Sequence, residues 1–293
     1  MSAFMQAITD GILGGSVYAL MAAGLTLIFG VMDIINIAQG ILVVLAAYLS
    51  YALSVHLHLD PLLGLAITVP MMFALGTFIQ WAFIGRLRGR ERTAMSLLAS
   101  YGVAILIEGI LYQIFSGTPV SLQPYAWYST ATIHVFGFYL ADIYLIGFGL
   151  AAVALAAIYL MLYRTKFGRS IRAIVQDRTA ARLIGIDVNR VAALTFGIGV
   201  AVTALGGAVF GLTNTFNPDS GYDLISRLLS IIIVGGMGSI GGAAAAALFM
   251  VTSEELVNLW RPQWATAVYY VAIVIVLVVR PRGAFGRREA RAQ

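Results

Sequence analysis

Long apolar segments, separated by short polar stretches, dominate the sequence. A helix needs roughly 20 consecutive apolar residues to span the hydrocarbon core of a bilayer. Eight segments approach that length, at residues 11–31, 34–54, 62–84, 94–115, 140–162, 191–213, 228–251 and 265–279. The pattern predicts an all-α, polytopic membrane protein in which residues 1–293 form one transmembrane domain.

The composition supports a membrane protein and excludes several other classes. Hydrophobic residues make up 60% of the chain and charged residues 11%, whereas soluble domains carry about 25% charged residues. The 293 residues leave no room for a separate soluble domain beside the apolar segments. The absence of cysteine excludes disulfide bonds and thiolate metal ligands.

Basic residues are confined to short stretches between the apolar segments. Sixteen of the 18 Lys and Arg residues lie within residues 86–92, 164–190 and 280–291. Because loops rich in Arg and Lys are retained in the cytoplasm, we expect three cytoplasmic regions and one large outer loop. These are the loops at residues 85–93 and 163–190, the tail at residues 280–293, and the outer loop at residues 116–139. The net charge of +5 then reflects topology and acidic lipid rather than nucleic acid.

A glycine cluster interrupts the segment at residues 228–251. Three full crossings after residue 190 would place the arginine-rich tail outside, which the positive-inside rule disfavours. Five glycines fall within eight residues: Gly235, Gly236, Gly238, Gly241 and Gly242. Each destabilises a continuous helix by roughly 1 kcal/mol relative to alanine. We therefore predict a half-helix, a break and a return to the same side, giving about seven full spans plus one re-entrant pair, with the N-terminus outside.

Polar side chains recur at the start of the second apolar segment. Asp33, Asn36 and Gln39 are spaced three residues apart, which predicts one polar stripe on a helix. In a membrane such groups normally face the bundle interior or a water-filled cavity. The stripe therefore either hydrogen-bonds one helix to another or lines a path, and the sequence leaves both interpretations open.

Glu108 is a single carboxyl within apolar sequence. At membrane depth it costs about 2.5 to 3.5 kcal/mol unless it is paired, solvated or protonated. A secondary transporter driven by an ion gradient would use such a group to couple solute to ion. A hydrated structural role is the plainer interpretation.

A short helix is predicted inside the second basic loop. Asp177 suits an N-cap and Gly185 suits a C-terminal stop, so about two helical turns fit between them. Arg178 and Arg182 then lie on one face. The alternatives are a charged loop resting on lipid headgroups and a docking surface for a cytoplasmic partner, and the separately capped helix favours docking. The candidate docking residues are Arg172, Gln176, Asp177, Arg178, Ala180, Ala181, Arg182 and Gly185.

Several chemistries lack their motifs. A phosphate-binding loop requires Gly-x-x-x-x-Gly-Lys followed by Ser or Thr, and the only lysine, Lys166, has no such context. No nucleophile and base stand at a catalytic spacing, and the spaced histidines His56 and His58 are a weak signal for a metal site. We therefore expect a protein that is not an enzyme, with no cofactor, no metal and no ATPase site of its own.

Four motifs spread over nearly the whole chain carry a family resemblance. They are residues 24–31 with 36–40, residues 171–173 with 177–186, residues 235–240, and residues 280–283. Together they resemble the LivH-type membrane subunit of the branched-chain amino acid ABC transporter permease family. Gly241 departs from the pattern, because the family commonly has proline there.

The resemblance implies a transporter assembled from several proteins in the lipid bilayer of the bacterial inner membrane. A second permease subunit, often a homologue in a heterodimer, would pair with this chain. Two cytoplasmic ATPase subunits would hydrolyse ATP, and a periplasmic binding protein would deliver the solute. The family's coupling helix matches the segment from Asp177 to Gly185. Branched-chain amino acids are the family default, while close relatives serve urea or short amides.

This interpretation predicts alternating access driven by the partner ATPases. The solute would pass along the interface between two permease chains, past small and polar groups. The candidate path residues are Asp33, Asn36, Gln39, Glu108, Gly235, Gly236, Gly238, Gly241 and Gly242.

Overall fold

The computed structural model describes residues 2–87, 92–135, 138–280 and 283–286, so residues 88–91 of the first basic loop and most of the tail lie outside the described ranges. The described chain folds into a helical bundle, which confirms the predicted fold class. Its α-helices are α1 (Ser2–Met32), α2 (Gln39–Leu57), α3 (Pro61–Ala82), α4 (Arg92–Phe115), α5 (Asp142–Arg164), α6 (Lys166–Gln176), α7 (Arg178–Leu183), α8 (Val188–Thr213), α9 (Ser220–Gly235), α10 (Ile240–Trp260) and α11 (Ala267–Val279). Two short strands, β1 (Thr132–Val135) and β2 (Phe138–Ala141), pair antiparallel before α5.

Seven of the described helices are long and apolar enough to cross a membrane, which matches the predicted number, although α10 takes the place of the predicted last span at residues 265–279. They are α1, α2, α3, α4, α5, α8 and α10. The 16-residue α9 and the 13-residue α11 are shorter.

The buried centre of the bundle is formed by α1 and α8. In both helices 78% of the most apolar window is buried. They run antiparallel and approach closely at glycines, because a Cβ on Gly199 would lie 2.7 Å from the Gly24 carbonyl oxygen. The opposite side of α1 packs antiparallel along α10, where a Cβ on Gly15 would lie 2.9 Å from the Leu248 Cα atom. Small residues thus set the helix spacing, as they do in other membrane bundles.

The glycine cluster separates α9 from α10 and reverses the chain, but the predicted half-helix after the break is wrong. α10 continues for 21 residues, well past the apolar segment that ended at residue 251. Within this extension, Arg227 Nη1 donates to both carboxylate oxygens of Glu254 at 2.7 and 2.8 Å. The last predicted span, at residues 265–279, is present as the 13-residue α11, which is shorter than the seven helices long enough to cross a membrane.

The two ends of the bundle differ in composition. The basic end carries α6, α7, the 3-10 turn Ile84–Arg86 and residues 283–286. The aromatic end carries the turn Trp127–Ser129 and the turn Pro262–Trp264. These two names are used below because they describe the molecule without assigning either end to a side of a membrane.

A loop contact ties the aromatic end together. Asp60 caps α3 by accepting from the Leu62 amide at 2.8 Å, and the Tyr128 hydroxyl donates to the same carboxylate oxygen at 2.8 Å. Burial raises the pKa of the Tyr128 hydroxyl, and the Asp60 carboxylate raises it further. The hydroxyl therefore stays protonated and keeps its role as a donor.

Candidate functional site

The polar residues at the start of the second segment do not form the predicted helical stripe. Residues 33–38 are a break between α1 and α2, and Asp33 adopts a left-handed φ of 53°. Asp33 is exposed, while Asn36 and Gln39 are buried. The sequence spacing of three suited a helix, yet the chain turns instead, so Asp33 is separated from Asn36 and Gln39.

The break lies inside the bundle, and side chains satisfy its polar groups. Asn36 Nδ2 donates to Gln39 Oε1 at 3.0 Å, and Gln39 Nε2 donates to Thr203 Oγ1 near the middle of α8. The Ile37 amide donates to Ser100 Oγ on α4 at 3.1 Å. Irregular backbone at membrane depth is tolerated where protein groups satisfy it in this way. Among the described side chains, the Asn36 Oδ1 atom is one of the buried acceptors that have no partner.

The glycine cluster forms a tight reversal at the basic end. Gly236 and Gly238 have φ values of 96° and 84°, a conformation that favours glycine. Gly235 and Gly242 pack back to back, so that a Cβ on Gly235 would lie 2.5 Å from the Gly242 carbonyl oxygen. Gly241 differs from them, because a Cβ there would meet nothing within 4 Å.

The candidate path residues are not brought into one site. Gly238 lies against Gly30, whereas Thr203, the partner of Gln39, lies against Gly24. Six residues of α1 separate these levels, which is about 9 Å along the helix axis. The glycine turn is therefore nearer the basic end than the break at residues 33–38.

Glu108 contacts neither of these features. Its side chain lies on the side of α4 that faces away from the bundle and is half-buried. It accepts a hydrogen bond of 2.7 Å from the Tyr222 hydroxyl of α9. Beside it, the Tyr112 hydroxyl donates to Asp219 Oδ2 at 2.5 Å. Sequence reasoning identified the carboxyl but missed the two tyrosines and Asp219.

The predicted short helix in the second basic loop is present as α7. Asp177 Oδ1 accepts from the Thr179 and Ala180 amides at 2.7 and 3.0 Å, which is N-cap geometry. Gly185 ends the helix with a φ of 84°, and its amide donates to the Arg182 carbonyl at 3.0 Å. The cap and the stop therefore lie where the sequence predicted them.

A preceding helix, α6, connects α7 to the bundle, and sequence reasoning missed it. α6 buries Ile171 and Ile174 and presents polar residues on its other face. Its Gly168 packs so closely against the end of α5 that a Cβ would collide with the Leu162 carbonyl. The signal was available, because apolar residues at positions 167, 171 and 174 repeat with a helical period.

The candidate docking residues fall into two groups. Arg172 faces the bundle, where it donates to the Leu162 carbonyl and lies 5.2 Å from the centre of the Tyr163 ring. With Gln176 it lines a cleft of about 1330 Å³ between α1, α5, α6 and the glycine turn. Ala181 is buried and holds α7 against its neighbours, while Ala180 and Arg182 are exposed.

Two exposed apolar side chains lie at the C-terminal end of α7. Leu183 is 84% exposed and Ile184 is 74% exposed. Sequence reasoning passed over both, although they follow directly after Arg182. They form an exposed aliphatic pair beside the exposed, polar Arg182.

These features define a class: a multi-pass α-helical membrane protein with one helix break inside the bundle, a glycine turn at its basic end, and a capped helix at that same end. Residues 7–277 match the family described as "Branched-chain amino acid transport system / permease component", and the chain belongs to that family.

Relatives with known names cover nearly the whole chain. It is 26% identical to the high-affinity branched-chain amino acid transport system permease protein BraD of Pseudomonas aeruginosa, over 98% of this chain and 97% of that protein. It is also 26% identical to the permease protein LivH of Escherichia coli K12, over 98% of this chain and 96% of that protein. Among solved structures, it resembles a chain of "PsaBC from Streptococcus pneumoniae in complex with Fab", with a TM-score of 0.51, 13% identity and coverage of 94% of this chain and 93% of that one. At that identity the likeness supports the fold alone.

Proposed function

We propose that this chain is the membrane-spanning permease subunit of an ABC importer that carries branched-chain amino acids into the cytoplasm. The observation that carries the proposal is α7, a separately capped helix that projects Leu183 and Ile184 from the basic end of a bundle in this family. We assign this end to the cytoplasm of a bacterial inner membrane, because arginine-rich segments are retained there.

The proposed energy source is ATP hydrolysis by two separate cytoplasmic subunits. This chain contributes no Gly-x-x-x-x-Gly-Lys motif that would cradle a nucleotide phosphate. Its part is mechanical. Movement of α7 would reach α5 through α6, because Ala181 is buried at the junction and Gly168 packs directly on the end of α5.

The proposed path runs between this chain and a second permease subunit. α4 contacts the rest of the chain mainly through α2, and its opposite face is exposed. That face carries Glu108 and adjoins the start of α9. A periplasmic binding protein would release the solute at the aromatic end, and rocking of the two permease chains would let it pass. Asn36 and Gln39 are buried behind this face, where they would stabilise the bundle rather than contact the solute.

The docking proposal is tested by a variant that changes only the exposed apolar pair. Leu183→Asp with Ile184→Asp should abolish co-purification of the ATPase subunits in mild detergent, because two charges replace the apolar contact. The melting temperature of the isolated chain should change by less than a few degrees, since both side chains are exposed.

The matched control is Leu57→Asp, which changes a residue that is 58% exposed at the aromatic end. This variant should retain both ATPase subunits. Normal ATPase recovery with the doubly substituted α7, or transport by the purified chain without any ATPase, would contradict the proposed function.

A further inference from the structure

An acidic cluster rich in tyrosine lies on an exposed face of α4 and α9. The cluster consists of Glu108 with Tyr222 and Asp219 with Tyr112, each pair joined by a hydrogen bond. Tyr112 is 39% exposed and Tyr222 is 47% exposed. The proposed function does not require these groups for docking or for coupling, so their presence on this face needs its own explanation.

The cluster lies within the membrane-spanning part of the bundle. The start of α9 packs on the start of α2, where a Cβ on Gly221 would lie 3.1 Å from the Ile41 backbone. Tyr48 on α2 contacts Phe216 with ring centres 4.9 Å apart. From Tyr48, α2 continues nine residues to Leu57, which is about 13 Å. Carboxylates at this depth cannot face lipid at low cost, so protein or a watery path must cover them.

No basic side chain neutralises the cluster among the described residues. Arg227 is the only basic residue of α9, and it is paired with Glu254 at 2.7 Å. The apolar stretch of α4 from Thr93 to Phe115 contains no Lys or Arg. The cluster therefore offers two carboxyl groups that have no basic partner among the described residues, which suits a cationic ligand.

A buried and unpartnered hydroxyl is directed to the same place. Tyr48 is 1% exposed, and its hydroxyl has no hydrogen-bond partner among the described residues. Its ring packs edge-on against Phe216, three residues before Asp219, with centres 4.9 Å apart. Its ring stacks on Phe115 with centres 4.3 Å apart. Burying a hydroxyl without a hydrogen-bond partner destabilises the fold, which indicates that a group outside this chain supplies the partner.

We propose that Glu108, Tyr112, Asp219, Tyr222 and Tyr48 bind the ammonium group of the transported amino acid as it passes the outer half of the permease interface. The two carboxylates accept hydrogen bonds from the ammonium, and the aromatic wall of Tyr48, Phe115 and Phe216 adjoins the aliphatic part of the solute. The inference rests on the proposed function and goes beyond it, because it names the ammonium as the group of the solute that the permease binds. A solute without an ammonium, such as urea, would not use this site.

The test measures leucine uptake and ATP hydrolysis in proteoliposomes that contain the complete transporter with saturating binding protein. Glu108→Gln and Asp219→Asn should each reduce leucine uptake at least tenfold, and Tyr48→Phe should reduce it severalfold. ATP hydrolysis stimulated by the binding protein should stay within twofold of the unmodified transporter. Asp10→Asn, which removes a carboxylate hydrogen-bonded to Gln6 on α1, should leave both rates unchanged.

A second measurement identifies the group that is recognised. Isoamylamine, which keeps the ammonium and the side chain of leucine, should inhibit uptake by the unmodified transporter at concentrations that leave leucine on the isolated binding protein. Isovalerate, which lacks the ammonium, should not inhibit. The inhibition by isoamylamine should weaken at least tenfold in Glu108→Gln.

The outcomes separate the inference from the proposed function. Uptake at the unmodified rate in Glu108→Gln and Asp219→Asn would overturn the inference and leave the proposed function intact. Loss of uptake together with loss of stimulated ATP hydrolysis would also overturn it, because the cluster would then be a structural contact between permease chains. Absence of ATP-dependent uptake in the unmodified transporter would instead refute the proposed function.

Discussion

Replacing Gly236 with alanine should prevent stable folding of the basic end. Gly236 has a φ of 96°, and a Cβ there would lie 2.9 Å from the Phe285 carbonyl carbon. The conformation alone costs an L-residue about 1 to 2 kcal/mol, and a clash with backbone typically adds about 1 to 3 kcal/mol. We expect a large fall in the yield of monodisperse protein and a lower melting temperature of the fraction that folds, measured by fluorescence-detected size exclusion in detergent.

The matched control lies five residues away. Gly241→Ala places a Cβ where nothing lies within 4 Å, in the first turn of α10. Because alanine favours a helix over glycine by up to about 1 kcal/mol, this variant should fold as well as the unmodified chain or slightly better. Equal melting temperatures for the two variants would show that the turn at Gly236 tolerates a Cβ atom, contrary to its geometry.

Glu254→Gln should destabilise the bundle by roughly 3 to 5 kcal/mol, since it leaves Arg227 as an uncompensated charge. The side chains of Arg227 and Glu254 are 24% and 12% exposed. The Tyr269 hydroxyl donates to Glu254 Oε2 at 2.8 Å, and the Arg227 guanidinium lies 5.1 Å from the centre of the Tyr269 ring. One carboxylate thus joins α9, α10 and α11, and its loss should appear as a lower melting temperature in detergent.

The double variant Arg227→Met with Glu254→Gln provides the comparison. Removing both charges should recover most of the lost stability, because the penalty comes from the unpaired cation rather than from the missing contact. If the double variant melts as low as Glu254→Gln, the loss of stability does not come from the uncompensated charge of Arg227.

Features that depend on local sequence are predictable from the chain alone. Apolar length indicates the spans, and the cap at Asp177 and the stop at Gly185 indicate α7, because each signal lies within a few residues of its effect. The glycine cluster likewise predicts a chain reversal. Its five members contribute differently, however, and only the fold distinguishes the strained Gly236 from the open Gly241.

Features that depend on distant partners could not be predicted. Asp33, Asn36 and Gln39 have helical spacing, but the turn is held by Ser100 and Thr203, which lie far along the sequence. The ion pair between α9 and α10 likewise joins Arg227 and Glu254, which are 27 residues apart.

The candidate solute site shows the same limit. Glu108 is conspicuous in apolar sequence, whereas its partner Tyr222 is 114 residues away. Tyr48 is likewise an ordinary aromatic residue in the sequence. Only the packing of α2, α4 and α9 shows that its hydroxyl is buried without a partner.

Leu183 and Ile184 also affect the steady-state amount of this protein in a cell. If the proposed ATPase subunits cover this pair, a copy of the chain without them would expose two aliphatic side chains to water, which is the kind of surface that chaperones and quality-control proteases recognise. We expect the half-life of the chain expressed alone to be shorter than that of the chain expressed with its ATPases, and Leu183→Asp with Ile184→Asp to lengthen the former. Subunit stoichiometry would then be set by degradation of orphans rather than by synthesis alone.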